Sequence, residues 1–162
     1  MSKILIISAT KGNNLFLAKK IGNYVSIDNK IISLEDFEMP LYVPKTKIIK
    51  TDIVELLSEI FIQSKGFIFC APEYNGGSPP ILTNAITWLS LITDNWRSTF
   101  ENKKAIIATH SGGAGFKFLT SFRSQLEHLG MIVYPRNIVV NKEKKFSDQS
   151  VKDMLNEFEK LI

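Results

Sequence analysis

GFIFCAPEYNGGSPP, residues 66–80, joins a wholly apolar run to a turn-rich polar loop. The run at 66–71 has the composition of a central parallel strand that is covered on both faces. Prolines and glycines then stop regular structure, while the intervening Glu, Tyr and Asn contribute a carboxylate, an aromatic ring and an amide. In open α/β sheets, ligands bind at loops that follow the carboxyl ends of strands. Residues 72–80 are therefore either a binding loop or a rigid strand-to-helix turn that holds no ligand.

Strands and helices alternate five times along the chain. Apolar runs predict strands at 3–8, 30–34, 66–71, 103–109 and 131–140, the last interrupted by Pro135. Helical spacing predicts five helices. The first ends near residue 24, the second begins with Asp52 as its cap and the third follows residue 80. The fourth lies behind the loop at 110–115, and the fifth covers 150–161. Residues 35–51, which include Pro40 and Pro44, are expected to be irregular.

This alternation predicts a three-layer α/β fold. With no repeat or linker in the sequence, we expect one domain over residues 1–162. Right-handed crossovers place helices on both faces of a five-stranded parallel sheet. The flavodoxin-like strand order 2-1-3-4-5 fits this length, and it brings the loops after strands one, three and four to the same edge.

Composition argues against a membrane protein. Hydrophobic residues make up 44% and charged residues 22% of the chain, which is typical of globular proteins. No apolar run approaches the ~18 residues needed to cross a bilayer, and no signal-peptide pattern precedes the first strand. We therefore expect a cytoplasmic protein that does not contact membranes.

Cysteine, histidine and lysine usage narrows the chemistry further. The single cysteine, Cys70, lies in an apolar strand and is expected in the core, and the two histidines lack the spacing of a metal site. The net charge of +4 comes from scattered lysines, with a loose cluster at Lys142, Lys144 and Lys145. This pattern favours a solvated basic surface over a nucleic-acid site. A positive balance also favours encounters with phosphates and dinucleotides.

Two further loops share the edge with residues 72–80. The first, Ser8–Asn14, offers hydroxyls, amides and a glycine just before a helix N-terminus, where unpaired N–H groups attract anions. It matches neither a P-loop nor a dinucleotide fingerprint, and its polar residues could serve only as helix caps. The other, 110–115, is rich in glycine, which allows close approach to a ligand or merely a turn. Together, the loops suit a phosphate and a flat ring, as in flavin mononucleotide (FMN).

The segment Pro72–Ser90 closely resembles the signature of the NADPH-dependent FMN reductase family. This family comprises flavodoxin-fold flavoenzymes that include quinone, azo and chromate reductases. Supporting matches are the Ser/Thr/Asn loop after the first strand, Asp36–Tyr42 after the second and the Ser-Gly-Gly loop after the fourth.

The resemblance implies a cofactor site and an activity. The flavin would take hydride from NADPH or NADH and pass electrons to a small acceptor, with no side chain required as an acid or base. It further implies a homodimer or homotetramer, with contacts from the helix after the signature loop. The residues implied to hold FMN are Ser8, Thr10, Asn13, Asn14 and Leu15 at the phosphate, and Pro72, Glu73, Tyr74, Asn75, Gly76, Ser111, Gly112 and Gly113 around the ring.

One departure from the family pattern leaves the pyridine nucleotide open. Many members carry a Ser-x-Arg in the first loop, whereas this chain has no arginine there. Phosphate binding could rest on hydroxyls and amides, but an arginine that could favour the NADPH 2′-phosphate is missing. Lys11 is a possible substitute.

Two other functions remain open at this point. A flavodoxin-like electron carrier would bind FMN without oxidising NAD(P)H, although such carriers are usually strongly acidic and this chain is not. A flavin-free protein could instead act through protein contacts.

Several side chains near the loops admit more than one role. Glu73 could be a neighbour of the flavin ring, a solvated carboxylate or an interface residue. Trp88 is expected to pack in the core. Tyr42, Phe116 and His110 are expected to pack or lie at the rim, and could border a substrate site.

Overall fold

A parallel sheet forms the centre of the molecule. The structure is a computed structural model and describes residues 3–44, 52–93 and 95–162. The strands run in the order β2-β1-β3-β4-β5, with β6 also paired to β4. This order confirms the prediction from the sequence. The strands are β1 (Ile4–Ser8), β2 (Asn29–Ser33), β3 (Gly66–Cys70), β4 (Lys104–His110), β5 (Ile132–Val133) and β6 (Ile138–Val140).

Helices cover both faces of the sheet because its central strands are apolar on both sides. In β1, Leu5 and Ile7 join one core, while Ile4 and Ile6 join the other, as the two-residue period of a strand requires. Helices α1 and α5 pack on the second core, and α2, α3 and α4 pack on the first. The helices are α1 (Asn13–Gly22), α2 (Asp52–Gln63), α3 (Pro80–Leu91), α4 (Phe116–His128) and α5 (Asp148–Glu159).

The predicted fifth strand is two short strands that both pair with β4. β5 pairs with the beginning of β4 at Lys104 and Ala105, and β6 pairs with its end at residues 108–110. Pro135 lies between them and has no N–H to donate to the sheet. The guanidinium of Arg123 donates to the carbonyls of Val133 (3.3 Å) and Tyr134 (2.8 Å), so it satisfies backbone acceptors at the break.

Element boundaries differ slightly from those expected. Helix α5 begins two residues earlier than predicted, with Ser147 as its N-cap accepting the N–H of Ser150. Asp52, predicted as a cap, is the first residue of α2. One turn of 3-10 helix covers residues 34–36, from the end of the predicted second strand into the segment predicted as irregular. Residues 45–51 of that segment lie outside the described part of the chain. In the described residues, no helix has the length and apolar character needed to cross a membrane.

Helix α3 anchors the extended segment after β2. The side chain of Asn84 donates to the carbonyl of Pro40 (3.0 Å) and accepts the N–H of Tyr42 (2.8 Å). The indole of Trp88 is buried as expected and also donates to Pro40 (2.7 Å), while the Tyr42 ring packs edge-on against it. Three polar contacts therefore fix this segment to the helix that follows the signature loop.

We expect Asn84→Ala to lower the free energy of unfolding by about 1–2 kcal/mol, because two backbone groups lose a partner. Thr83→Ala, at an exposed position of the same helix, is the matched control and should change stability by less than about 0.5 kcal/mol. Urea unfolding of both variants measures the difference. Equal effects would show that the Asn84 contacts do not stabilise the fold.

Candidate functional site

Loops at the carboxyl ends of four strands enclose a cavity of about 490 Å³. This volume lies within the ~300–1,000 Å³ typical of small-molecule sites. The cavity is open to solvent and lies where ligands bind in doubly wound sheets. Its lining residues are Thr10, Lys11, Asn13, Asn14, Pro72, Glu73, Tyr74, His110, Ser111, Gly112, Asn141, Lys142 and Lys145.

In the first loop, two predicted site residues use their side chains within the protein. The hydroxyl of Ser8 is buried and donates to the carbonyl of Thr10 at 2.6 Å. The amide of Asn14 donates to the carbonyl of His110 (3.0 Å) and accepts its N–H (2.9 Å). What the first loop offers to the cavity is therefore the side chains of Thr10 and Asn13 and the first N–H groups of α1, which have no partner within the helix.

Lys11 is tied to the segment after β2. Its ammonium pairs with Asp36 at 2.9 Å, and its backbone N–H donates to the carboxylate of Glu35 at 2.9 Å. The hydrogen bond and charge of Asp36 raise the pKa of Lys11 above its ordinary value. The one cation of the first loop is therefore already paired with a carboxylate.

The second loop forms a tight hairpin at its tip. Tyr74 and Gly77 exchange two backbone hydrogen bonds of 3.0 and 2.9 Å, and the residues between them, Asn75 and Gly76, have φ of 50° and 73°. Two left-handed residues in a two-residue loop define a type I′ turn, for which Asn-Gly is the preferred sequence. The turn leaves the Tyr74 ring half exposed at the cavity.

Glu73 joins the second loop to the third. Its N–H donates to the hydroxyl of Ser111 (2.8 Å), and its carboxylate accepts the N–H of Phe118 (2.9 Å) in the first turn of α4. An acceptor at this point satisfies an otherwise unpaired N–H and is stabilised by the positive end of the helix dipole. This capping contact is not among the three roles considered for Glu73. The carboxylate and the helix that it caps are 45 residues apart, so no local pattern in the sequence indicates the contact.

The fold requires glycine at one of the three glycine positions of the third loop and leaves the other two unexplained. Gly115 has a φ of 65°, and a Cβ there would lie 2.9 Å from the Thr109 side chain, so the fold itself demands glycine. Gly112 and Gly113 have no left-handed φ, and a Cβ on either would meet nothing within 4 Å. Protein packing therefore does not explain these two glycines.

The fourth loop was not predicted as part of the site. Asn141, Lys142 and Lys145 follow β6 and line the cavity with the first loop. Their lysines were interpreted from the sequence as solvated surface. The signal that could have found them was available: this loop also follows the carboxyl end of a strand, as the other three do.

The structure brings most of the predicted site residues together. Five predicted residues do not line the cavity, although each lies within two positions of a residue that does: Ser8, Leu15, Asn75, Gly76 and Gly113. His110 lies at the cavity, whereas Tyr42 packs on α3 and Phe116 is exposed. The described residues contain no group of three or more His, Cys, Asp or Glu side chains arranged to hold a metal ion.

Burial removes Cys70 from consideration as a reactive group. The residue ends β3 directly before the second loop, but it is fully buried, and this burial raises the pKa of its thiol. A thiol that stays protonated is a poor nucleophile.

The family model described as NADPH-dependent FMN reductase matches residues 2–145. This range covers β1 through the fourth loop, and so includes every residue that lines the cavity. None of the curated proteins matches the sequence.

Solved structures share the fold at low sequence identity. The flavoenzyme NAD(P)H:(acceptor) oxidoreductase FerB from Paracoccus denitrificans is 16% identical, with a TM-score of 0.77, over 99% of this chain and 95% of its own. An oxidoreductase from Corynebacterium diphtheriae is 18% identical, with a TM-score of 0.80, over 100% and 97%. A flavodoxin from the domain Archaea is 16% identical, with a TM-score of 0.67, over 99% of each chain. At these identities the structures show a shared flavodoxin-like fold.

We expect Gly115→Ala to destabilise the protein by about 1–3 kcal/mol, through a left-handed φ and a contact with Thr109 that must give way. Gly112→Ala should change stability by less than about 0.5 kcal/mol in flavin-free protein, since its Cβ would point into open space. Thermal or urea unfolding of the pair tests this. A Gly112→Ala variant as unstable as Gly115→Ala would show that the fold requires both glycines.

Proposed function

The chain belongs to the NADPH-dependent FMN reductase family, and from this premise we propose that residues 1–162 form one FMN-binding domain that oxidises NADPH or NADH and reduces a small acceptor. Membership makes the chain an oxidoreductase of the FMN reductase kind, with FMN as its cofactor. FMN supplies the redox chemistry when bound, by accepting hydride from a nicotinamide and passing electrons on to a flavin, quinone or similar molecule. The observation that carries the proposal is the cavity formed by the loops of the family signature.

The residues of the cavity fit a flavin. Gly112 and Gly113 leave room where any side chain would protrude, although neither φ nor packing demands glycine there. A flat ring approaching the backbone would account for both glycines. On the first loop, hydroxyl, amide and N–H donors face the same cavity, which suits a phosphate group.

Each loop then has a defined task. Thr10 and Asn13 would bind the phosphate with their side chains, while Asn14 and Leu15 would do so with N–H groups at the start of α1. Ser8 would act indirectly, because its hydroxyl fixes the carbonyl of Thr10. Residues proposed to surround the ring are Pro72, Glu73, Tyr74, Asn75 and Gly76 on the second loop and Ser111, Gly112 and Gly113 on the third.

The protein's contribution to the reaction is positioning. Two polar side chains of the cavity are engaged within the protein: Glu73 caps α4, and the Ser111 hydroxyl contacts Glu73 and Thr109. The redox chemistry is supplied by the flavin and requires no acid or base from the protein. We therefore propose no catalytic side chain. The loops would orient the flavin, leave one face accessible to the nicotinamide and then to the acceptor, and tune the ring through backbone hydrogen bonds.

Assembly and location stay predictions. The homodimer or homotetramer expected from the sequence has support from large apolar side chains at the surface, since Leu41 and Phe116 are 75% and 72% exposed. The cytoplasmic location expected from the sequence is not tested by the structure.

Purified protein should be yellow, or should bind added FMN with quenched flavin fluorescence and a raised melting temperature. Mixed anaerobically with NADPH or NADH, the bound flavin should bleach much faster than free FMN. Comparing the two nucleotides identifies the preferred donor. Binding without accelerated bleaching would instead identify a flavodoxin-like carrier, and absence of FMN binding would refute the proposal.

Gly112→Val should weaken FMN binding by at least about tenfold, because its side chain would occupy space proposed for the ring. The melting temperature without flavin should change little, since a Cβ at this position meets no protein atom within 4 Å. Fluorescence titration and thermal unfolding separate these effects. Unchanged FMN affinity would show that the ring does not approach this loop.

A further inference from the structure

A basic turn lines the same cavity as the residues of the first loop that are proposed to bind phosphate. This lysine turn, residues 141–145, contributes Asn141, Lys142 and Lys145 to a lining that also includes Thr10 and Asn13. The two loops come from opposite ends of the sequence and meet because β1 and β6 both end at the carboxyl edge of the sheet.

The lysine turn is held in place by its own hydrogen bonds. The Asn141 side chain accepts the N–H groups of Glu143 (2.9 Å) and Lys144 (2.7 Å), and its backbone N–H donates to the carbonyl of Lys144 (2.9 Å). Its amide nitrogen also donates to the carbonyl of Gly113 at 3.2 Å. The same asparagine therefore shapes the turn and fixes it to the glycine loop at which the flavin ring is proposed.

Phe146 anchors the other end of the turn. Its ring packs against Tyr24 with centroids 6.1 Å apart, and the ammonium of Lys20 lies 4.1 Å above it. Both contacts come from α1 or the residues just after it, and α1 is the helix whose N-terminus lies at the cavity. With both ends fixed, Lys142 and Lys145 are carried by a defined backbone close to the start of α1.

Lys142 and Lys145 line the cavity and form no ion pair with the described residues. Lys11, by contrast, is paired with Asp36. Glu73 is the one carboxylate in the lining, and it accepts an N–H of α4. A doubly charged phosphate on the first loop would otherwise meet neutral donors and one lysine that already has a carboxylate partner.

We propose that Lys142 and Lys145 bind the phosphate of FMN, and so supply positive charge in addition to that of Lys11, which is paired with Asp36. This inference rests on the proposed function, because it assigns a role to residues at the same cofactor site. It predicts that the two lysines distinguish FMN from riboflavin, which carries the same ring without the phosphate. Charge-assisted hydrogen bonds from both ammonium groups would act on FMN alone.

The test compares FMN and riboflavin affinities of flavin-free protein by fluorescence titration. The double variant Lys142→Gln/Lys145→Gln should weaken FMN binding about tenfold or more and leave riboflavin binding within about twofold. FMN binding by the unmodified protein should also weaken with rising salt, and the double variant should lose most of that dependence.

Lys144→Gln is the matched control. Lys144 belongs to the same turn and lines a neighbouring groove with Arg136 but not this cavity, whereas Lys145 lines both. The control should leave both flavin affinities and their salt dependence nearly unchanged, while keeping the backbone hydrogen bonds of the turn.

The possible failures are distinguishable. FMN binding that is unaffected by the double variant, or an equal loss for FMN and riboflavin, would overturn the role of the lysines while leaving the proposed function intact. Unchanged FMN affinity with a raised KM for NADPH but not NADH would overturn it as well, and would assign the turn to the 2′-phosphate of the nucleotide. Unmodified protein that binds neither flavin would refute both proposals.

Discussion

Two hydrogen bonds between the side chain of Asn14 and the backbone of His110 hold the site together. Strands β1 and β4 are not neighbours, since β3 lies between them, so the loops that follow them share no sheet hydrogen bonds. The buried amide of Asn14 spans this gap, donating to the carbonyl of His110 and accepting its N–H. A carboxylate could only accept and an apolar side chain could do neither, so the position needs an amide. The start of α1 is thereby fixed relative to the glycine loop.

A second tie sets the distance between the loops proposed to enclose the ring. Glu73 contacts Ser111 through its N–H and α4 through its carboxylate, so the second and third loops are joined to each other and to that helix. Side chains that might have been assigned to the ligand are thus engaged in fixing the backbone. Backbone N–H and carbonyl groups held in this way are preorganised, so little ordering entropy would be lost where the proposed ring contacts them.

The sequence predicted the parts of the fold that depend on local pattern, and missed those that depend on distant partners. Apolar runs predicted the strands, and the alternation of strands and helices over this length favoured the flavodoxin-like order that the sheet has. The Asn75-Gly76 pair is the preferred sequence of a type I′ turn, so this feature is local as well. The cap formed by Glu73 and the bridge formed by Asn14 join residues 45 and 96 positions apart, so no local pattern reveals them. The lysine turn was missed for another reason: its composition resembles solvated surface, and only the position of β6 brings it to the cavity.

The interrupted last strand explains how that turn reaches the site. β5 pairs with the start of β4, at the edge of the sheet opposite the cavity, and a chain that left the sheet there would not reach the carboxyl ends of the strands. Pro135 breaks the pairing, Arg123 satisfies carbonyls at the break, and β6 then pairs with residues 108–110 at the end of β4. Val140 accepts the N–H of Ser111, which places the lysine turn directly beside the glycine loop. The positive charge of the cavity therefore depends on the same pairing that completes the sheet. A change that displaces β6 should alter the electrostatics of the site even where every residue of the first three loops is kept.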